Sequence, residues 1–361
     1  MKIKGWIENL PEYIPGRTIN EIKEKYKLEN VYKLASNENI LGPAPGVKER
    51  ICDAAKNVNY YPDSNCTKIR EKLSQKYGLS TDNIIMGNGT DQIIEMVCNC
   101  LIAGTENILI SDPTFLIYEK ATLKLGGKAI KVPLKDYRQD VRSLVSRINK
   151  NTRIIFLTSP HNPTGTNITR DEFEYVLSES GKDILVVIDE AYYEYVGDSE
   201  KINTVSYLKN FPNLLILRTF SKIYGLAGLR IGYGISNSHV IRALNKTRLP
   251  FNVNSIAQEA AIEALENSLY IKKVRDEVNR EKEKFYRAFN ENGINYLKSY
   301  ANFILIETGK DDKEVAEELL KVGFIVRPGS NLGLPGFIRV TVSLPEINDK
   351  FINTFIRIIK K

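Results

Sequence analysis

From residue 81 onward the chain repeats one pattern: a short run of Ile, Leu and Val bounded by turn formers, then a stretch with helical spacing. The runs are NIIMG, ENILISD, RIIFLTSP, DILVVIDE, NLLILRTF and IGYGIS. Runs of about 4–6 apolar residues without polar alternation mark strands covered on both faces. Between them, Asp91–Leu101, Ile117–Leu125 and Arg170–Ser180 carry apolar residues at helical intervals. Such alternation predicts an α/β fold, a mostly parallel sheet sandwiched by helices, with ligands gathering beyond the carboxyl ends of the strands.

The pattern changes toward the C-terminus. Residues 254–292 are long helical stretches rich in Glu, Lys and Ala, and YLKSYANFILIET, a helix, FIVRPGS and FIRVTVS follow as strand, helix, strand, strand. This predicts a smaller α+β domain. The first 30 residues are polar and punctuated by Pro11, Pro15 and Gly16, and read as an arm ending in a helix near Ile19–Lys27. The expected division is an arm over 1–30 packing with the small domain, a large domain over 31–250 and a small domain over 251–361. The Lys/Glu-rich stretch Lys272–Lys284 reads as a solvated helix face.

Composition narrows the function. With 361 residues, 42% of them hydrophobic, the chain can bury a substantial core. It holds no run near the roughly 18 apolar residues of a membrane span, and MKIKGWIENLPEY lacks the apolar core of a secretory signal. A cytoplasmic protein without membrane partners is expected. Cys52, Cys66, Cys98 and Cys100 match neither a zinc ribbon nor a CxxC redox pair, so reduced thiols and no metal site are expected. The net charge of +7 is spread through mixed stretches such as KEKYKLEN and NREKEKFYR. That argues for a solvated surface and against a nucleic-acid track, while a mild positive balance suits small anionic substrates.

The strongest chemical signal is Thr219-Phe220-Ser221-Lys222, directly after the apolar strand NLLILR and followed by Gly225, Gly228 and Arg230. Most lysines are surface groups, but this one stands at a strand end in the ligand-bearing region. There it can form a Schiff base with an aldehyde such as that of pyridoxal phosphate. That cofactor demands an acid for its ring nitrogen, donors for its phenolic oxygen and an anion site. Asp189, closing ILVVID, is the candidate acid, since a buried carboxylate is costly without a cation. Tyr192 and Asn162, the latter within Ser159-Pro160-His161-Asn162-Pro163-Thr164-Gly165, are candidate donors. For the phosphate, Gly87-Asn88-Gly89-Thr90-Asp91 opens a helix whose free N–H groups suit an anion, with Ser221 and Arg230 nearby in sequence. The dinucleotide spacing GxGxxG and the loop GxxxxGK[ST] are absent, which argues against a nicotinamide dehydrogenase or an ATP enzyme.

NPTG, DEAYYEY and TFSKIYGLAGLRIGYG, in that order, resemble the fold-type I pyridoxal-phosphate enzymes of the class I/II aminotransferase family. Nearly end to end the chain is similar to the histidinol-phosphate branch of that family. By this resemblance Lys222 is the Schiff-base lysine and proton shuttle, Asp189 the pyridinium partner, and Asn162 and Tyr192 the phenolate donors. Thr90, Asp91, Ser221, Arg230 and Tyr61 surround the cofactor phosphate, Tyr61 reaching across a homodimer from the YYPDSN stretch. Tyr13 on the arm approaches the substrate phosphate, and Arg327 in VRPGS and Arg339 in FIRVTVS hold substrate anions. Phe115 in DPTFLIYEK is the preferred stacking face for the cofactor ring, with Tyr118 as the second choice. His161 is read as a loop neighbour rather than a base. The resemblance implies ping-pong transfer between histidinol phosphate and 2-oxoglutarate, yielding imidazole-acetol phosphate and glutamate. Aromatic or broad-specificity transamination and threonine-phosphate decarboxylation are the alternatives.

Overall fold

A computed structural model describes residues 1–8, 10, 12 and 16–360. Seven strands form the central sheet: β2 (Ile84–Gly87), β3 (Asn107–Asp112), β4 (Lys128–Pro133), β5 (Thr152–Thr158), β6 (Leu185–Asp189), β7 (Leu214–Thr219) and β8 (Gly232–Ser236). The short β1 (Tyr32–Lys33) lies outside it. The spatial order is β2-β8-β7-β6-β5-β3-β4, and β8 alone runs against its neighbours. Every residue of β2, β6, β7 and β8 is buried, which is why those segments read as mostly apolar runs.

Two features departed from the sequence reading for identifiable reasons. The edge strand β4, KAIKVP, buries only Val132, so its lysines broke the apolar run. The reversal of β8 follows from the absence of a helix between β7 and β8. An antiparallel neighbour needs no crossover, and the intervening loop holds only the short 3₁₀ turn Ala227–Leu229. That loop carries Lys222 and Arg230 back to the same sheet edge.

The smaller sheet combines β9 (Tyr296–Leu297), β10 (Phe303–Glu307), β12 (Arg327–Pro328) and β13 (Phe337–Thr341) in the order β12-β13-β10-β9, all antiparallel. β1 pairs in parallel with β11 (Phe324–Ile325), and the Thr341 N–H donates to Leu34 O at 2.8 Å, so the chain just after β1 is tied to this sheet.

Helices cover both units. The helix Ile19–Tyr26 is closed at its start by a Thr18/Glu21 capping box and at its end by Lys27 in the left-handed conformation. Its Ile22 packs with Leu320 and Ile325, whereas Trp6 lies over Gly126 and donates to Lys124 O at 3.3 Å. The stretch expected to be a fully solvated face is part of the helix Ser268–Glu291. There Val274, Val278, Phe285, Tyr286 and Phe289 form a buried stripe, and Glu281 and Lys282 are buried with it. Their charges misled the reading because both find partners: Asn348 donates to Glu281, and Lys282 donates to Ser299 O at 2.7 Å. Among the described residues no helix is long and apolar enough to cross a membrane.

Candidate active site

The carboxyl ends of β2, β3, β5, β6 and β7 converge on one cavity of about 150 Å3, lined by Thr90, Asp91, Phe115, Tyr118, Thr158, Asn162, Asp189, Tyr192, Ser221, Lys222 and Arg230 among others. These residues come from loops far apart in sequence. The parallel strand order brings their ends together.

Asp189 is 3% exposed. Its Oδ1 accepts from the Ala191 N–H at 3.0 Å and its Oδ2 from the Tyr118 hydroxyl at 2.8 Å. Burial pushes its carboxyl up to about 6, opposed by those two donors. Such a group favours a cation beside it. Tyr118, the second choice for a stacking ring, is instead fully buried, stacked on Phe156 at 4.5 Å and bonded to Asp189 and Thr158. Phe115 is less buried and meets Tyr118 edge-on at 5.7 Å.

Lys222 donates from Nζ to Ser36 O at 3.2 Å, with its amine 5.5 Å from the Tyr192 ring centroid. Across the cavity, the helix Gly89–Leu101 points its N-terminus inward. Arg230 crosses that end, donating to Ser221 Oγ at 3.2 Å and pairing with Asp91 at 3.4 Å. Gly89 adopts φ +75°, a conformation that L side chains rarely hold, and a Cβ there would press on Arg230 Nη2 at 2.5 Å. Arg230 itself adopts φ 55°, a strained backbone for a non-glycine residue. Burial pushes the Asp91 carboxyl up against the pull of Arg230. Backbone N–H groups, two hydroxyls and a guanidinium thus face one spot, a fit for a phosphate.

Arg339 is buried on β13. It donates to Asn162 Oδ1 at 2.5 Å and Ala35 O at 2.7 Å, lies 5.3 Å from the Phe303 ring centroid, and leaves Nε without a partner. No carboxylate pairs with it among the described residues, and burial pushes its guanidinium down to about 10. A buried cation without an anionic partner is costly to hold. Arg327 stands opposite it in the β12–β13 register and lines a separate, wider groove of about 1110 Å3 beside the helices Ile19–Tyr26 and Asp312–Lys321.

Among the described residues, Tyr61, Arg327 and Arg339 do not line the cavity. Tyr61 is 82% exposed and stacks on Phe251 at 4.5 Å. Tyr13 lies outside the described residues. His161 is fully buried, with Nδ1 2.9 Å from Thr164 Oγ1 and Nε2 unpartnered, and burial pushes its imidazole down to about 3. It is neutral near pH 7 and does not line the cavity. Sequence reasoning missed the segment 35–37. Ala35 O meets Arg339, Ser36 O meets Lys222, and Asn37 Nδ2 donates to the Tyr192 hydroxyl at 2.9 Å. The signal available was a run of turn-forming polar residues, ASNEN, in an otherwise ordered stretch.

The fold and this site are those of an aminotransferase: the family model for aminotransferase class I and II matches residues 29–357, and the chain belongs to that family. Similarity along the whole chain narrows this to the histidinol-phosphate aminotransferases. The chain is 42% identical to histidinol-phosphate aminotransferase of Caldicellulosiruptor saccharolyticus over 346 residues, covering 96% of this chain and 97% of the relative. It is 39% identical to the protein of that name from a Geobacillus strain over 361 residues, covering 100% and 99%. Among solved structures, histidinol-phosphate aminotransferase from Sinorhizobium meliloti in complex with pyridoxal-5'-phosphate superposes with a TM-score of 0.91 at 25% identity, covering 99% of this chain and 98% of that one.

Proposed function

We propose that this chain transfers an amino group between histidinol phosphate and 2-oxoglutarate, using pyridoxal 5'-phosphate in the cavity at the strand ends. The observation that carries the reading is the union, around one cavity, of a lysine amine, a buried carboxylate held for a cation and an anion-binding helix end, beside a buried arginine with no acidic partner among the described residues.

Bound there, the cofactor supplies a carbonyl that condenses with amines and a ring that takes up the electron pair left when a substrate α-hydrogen departs. Lys222 would hold the cofactor's carbonyl through Nζ, and the free amine would carry the substrate α-proton. Asp189 keeps a proton on the ring nitrogen. Asn162 and Tyr192 donate to the phenolic oxygen, and Phe115 covers the ring. Thr90, Ser221, Arg230 and the helix end hold the phosphate, with Asp91 orienting Arg230. Arg339 grips the carboxylate of glutamate or the anionic end of the other substrate, and Arg327 and Tyr13 serve the substrate phosphate. Tyr61, exposed in the single chain, completes the phosphate site of a partner subunit in a cytoplasmic homodimer. The arm over 1–30, large domain over 31–250 and small domain over 251–361 remain the proposed division.

The test mixes cofactor-loaded protein with histidinol phosphate and no acceptor, following the visible absorbance and assaying imidazole-acetol phosphate. Rapid bleaching with product is expected, and Lys222→Ala should remove it. Bleaching with phenylalanine alone, or carbon dioxide release from threonine phosphate, would overturn the substrate assignment while leaving the cofactor chemistry.

A further inference from the structure

The Tyr192 hydroxyl has one proton and must spend it inside the cavity to act as a donor there. We infer that Asn37 is the positioning residue that enforces this, an inference that rests on the proposed role of Tyr192.

A phenol offers one donor and can accept through its oxygen lone pairs. Asn37 Nδ2 donates to that oxygen at 2.9 Å, and among the described residues it is the hydroxyl's only hydrogen-bond partner. The contact consumes a lone pair and leaves the proton uncommitted. A donor into the phenol oxygen also polarises its O–H bond and makes it a better donor in turn.

Thr341 sets the orientation of the amide. Its Oγ1 accepts from the Asn37 N–H at 2.9 Å and donates to Asn37 Oδ1 at 3.4 Å. This holds the amide oxygen toward Thr341 and the NH₂ group toward Tyr192. The backbone is fixed as well: Asn37 adopts φ 57°, and Asn302 Nδ2 donates to its carbonyl at 3.0 Å. Asn, Asp and Gly are the residues that visit this conformation readily. Asn37 is 1% exposed, and its anchors come from the smaller sheet and its margin: Thr341 closes β13, two residues after Arg339, and Asn302 directly precedes β10. The strand that holds the substrate-facing arginine therefore also aims the phenol on the opposite unit.

The experiment uses cofactor-loaded protein and reads two quantities, the pH midpoint of the visible absorbance change and kcat with histidinol phosphate. Asn37→Gly keeps the left-handed backbone and deletes the side chain that carries the amide. Loss of an oriented donor leaves the phenolic oxygen more basic, so the midpoint should rise by about half a unit to one unit and kcat fall about tenfold. Asn37→Asp places an acceptor where the NH₂ stood and draws the Tyr192 proton away, so both effects should be larger than for Asn37→Gly. In a Tyr192→Phe background, Asn37→Gly should add nothing further. A wild-type midpoint in Asn37→Gly, or the full Asn37→Gly effect persisting without the Tyr192 hydroxyl, overturns the inference. A wild-type midpoint in Tyr192→Phe itself overturns the role of Tyr192, and is a separate result.

Discussion

Replacing Arg339 with methionine separates a binding cation from a structural one. Burial opposes the guanidinium charge, and its depression from the ordinary arginine value to about 10 corresponds to roughly 3 kcal/mol against holding it there. Its two charge-assisted hydrogen bonds, to Asn162 and Ala35, return roughly 1.5 kcal/mol each or somewhat more. These nearly cancel, and methionine fills similar volume, so the cofactor-free Arg339→Met protein should unfold in urea within about 2 kcal/mol of wild type. Binding should respond differently. An anion drawn into this site loses a buried, fork-shaped partner, which costs about 3–4 kcal/mol and lowers kcat/KM for glutamate and for histidinol phosphate by about 100-fold to 1000-fold. Intact kcat/KM per folded molecule would refute the assignment. So would a loss of more than about 4 kcal/mol of stability, because it would make the arginine a structural member of β13.

Three further outcomes are expected. The Asp189 carboxyl sits above its ordinary value, so the cofactor-free fold binds its proton more tightly than the unfolded chain, and this contribution to stability is lost as pH rises through about 6. The ionised form is the one that pairs with a protonated ring, so cofactor affinity should fall as pH drops through that value. Tyr118→Phe removes a donor to the carboxylate and should move the midpoint to higher pH in fluorescence titrations of cofactor from about pH 5 to about pH 8; an unmoved midpoint would detach Tyr118 from Asp189. Arg218 and Glu190 are paired at 2.9 Å and each 3% exposed, so Arg218→Met strands a buried carboxylate and should destabilise the protein by about 3–5 kcal/mol in urea, against the near-neutral Arg339→Met. Finally, mixing Tyr61→Ala with Lys222→Ala protein under subunit exchange should raise activity above the average of the two unmixed samples, since one site per mixed dimer is then intact; no rise would remove Tyr61 from the partner's site.

Much of this protein is legible in one dimension because its chemistry is tied to strand ends. A strand buried on both faces must be continuously apolar, so β2, β5, β6 and β7 announce themselves. Lys222, Asp189 and Asn162 could be placed at the ligand-bearing edge simply by following those runs. Other features depend on neighbours distant in sequence. The reversal of β8, the half-exposed edge strand β4 and the burial of Glu281 and Lys282 were decided by what packs against them. So were the duties of single side chains. Tyr118 could stack on a ligand by its position in sequence, but the fold gives its face to Phe156 and its hydroxyl to Asp189. Asn37 is one polar residue in a loop until the smaller sheet grips its backbone and turns its amide toward Tyr192, 155 residues away. Local pattern sets which segments are strands and which residue types lie at their ends. Direction of a hydrogen bond, burial of a charge and the pKa that follows are properties of the surroundings, and those exist only once the chain is folded.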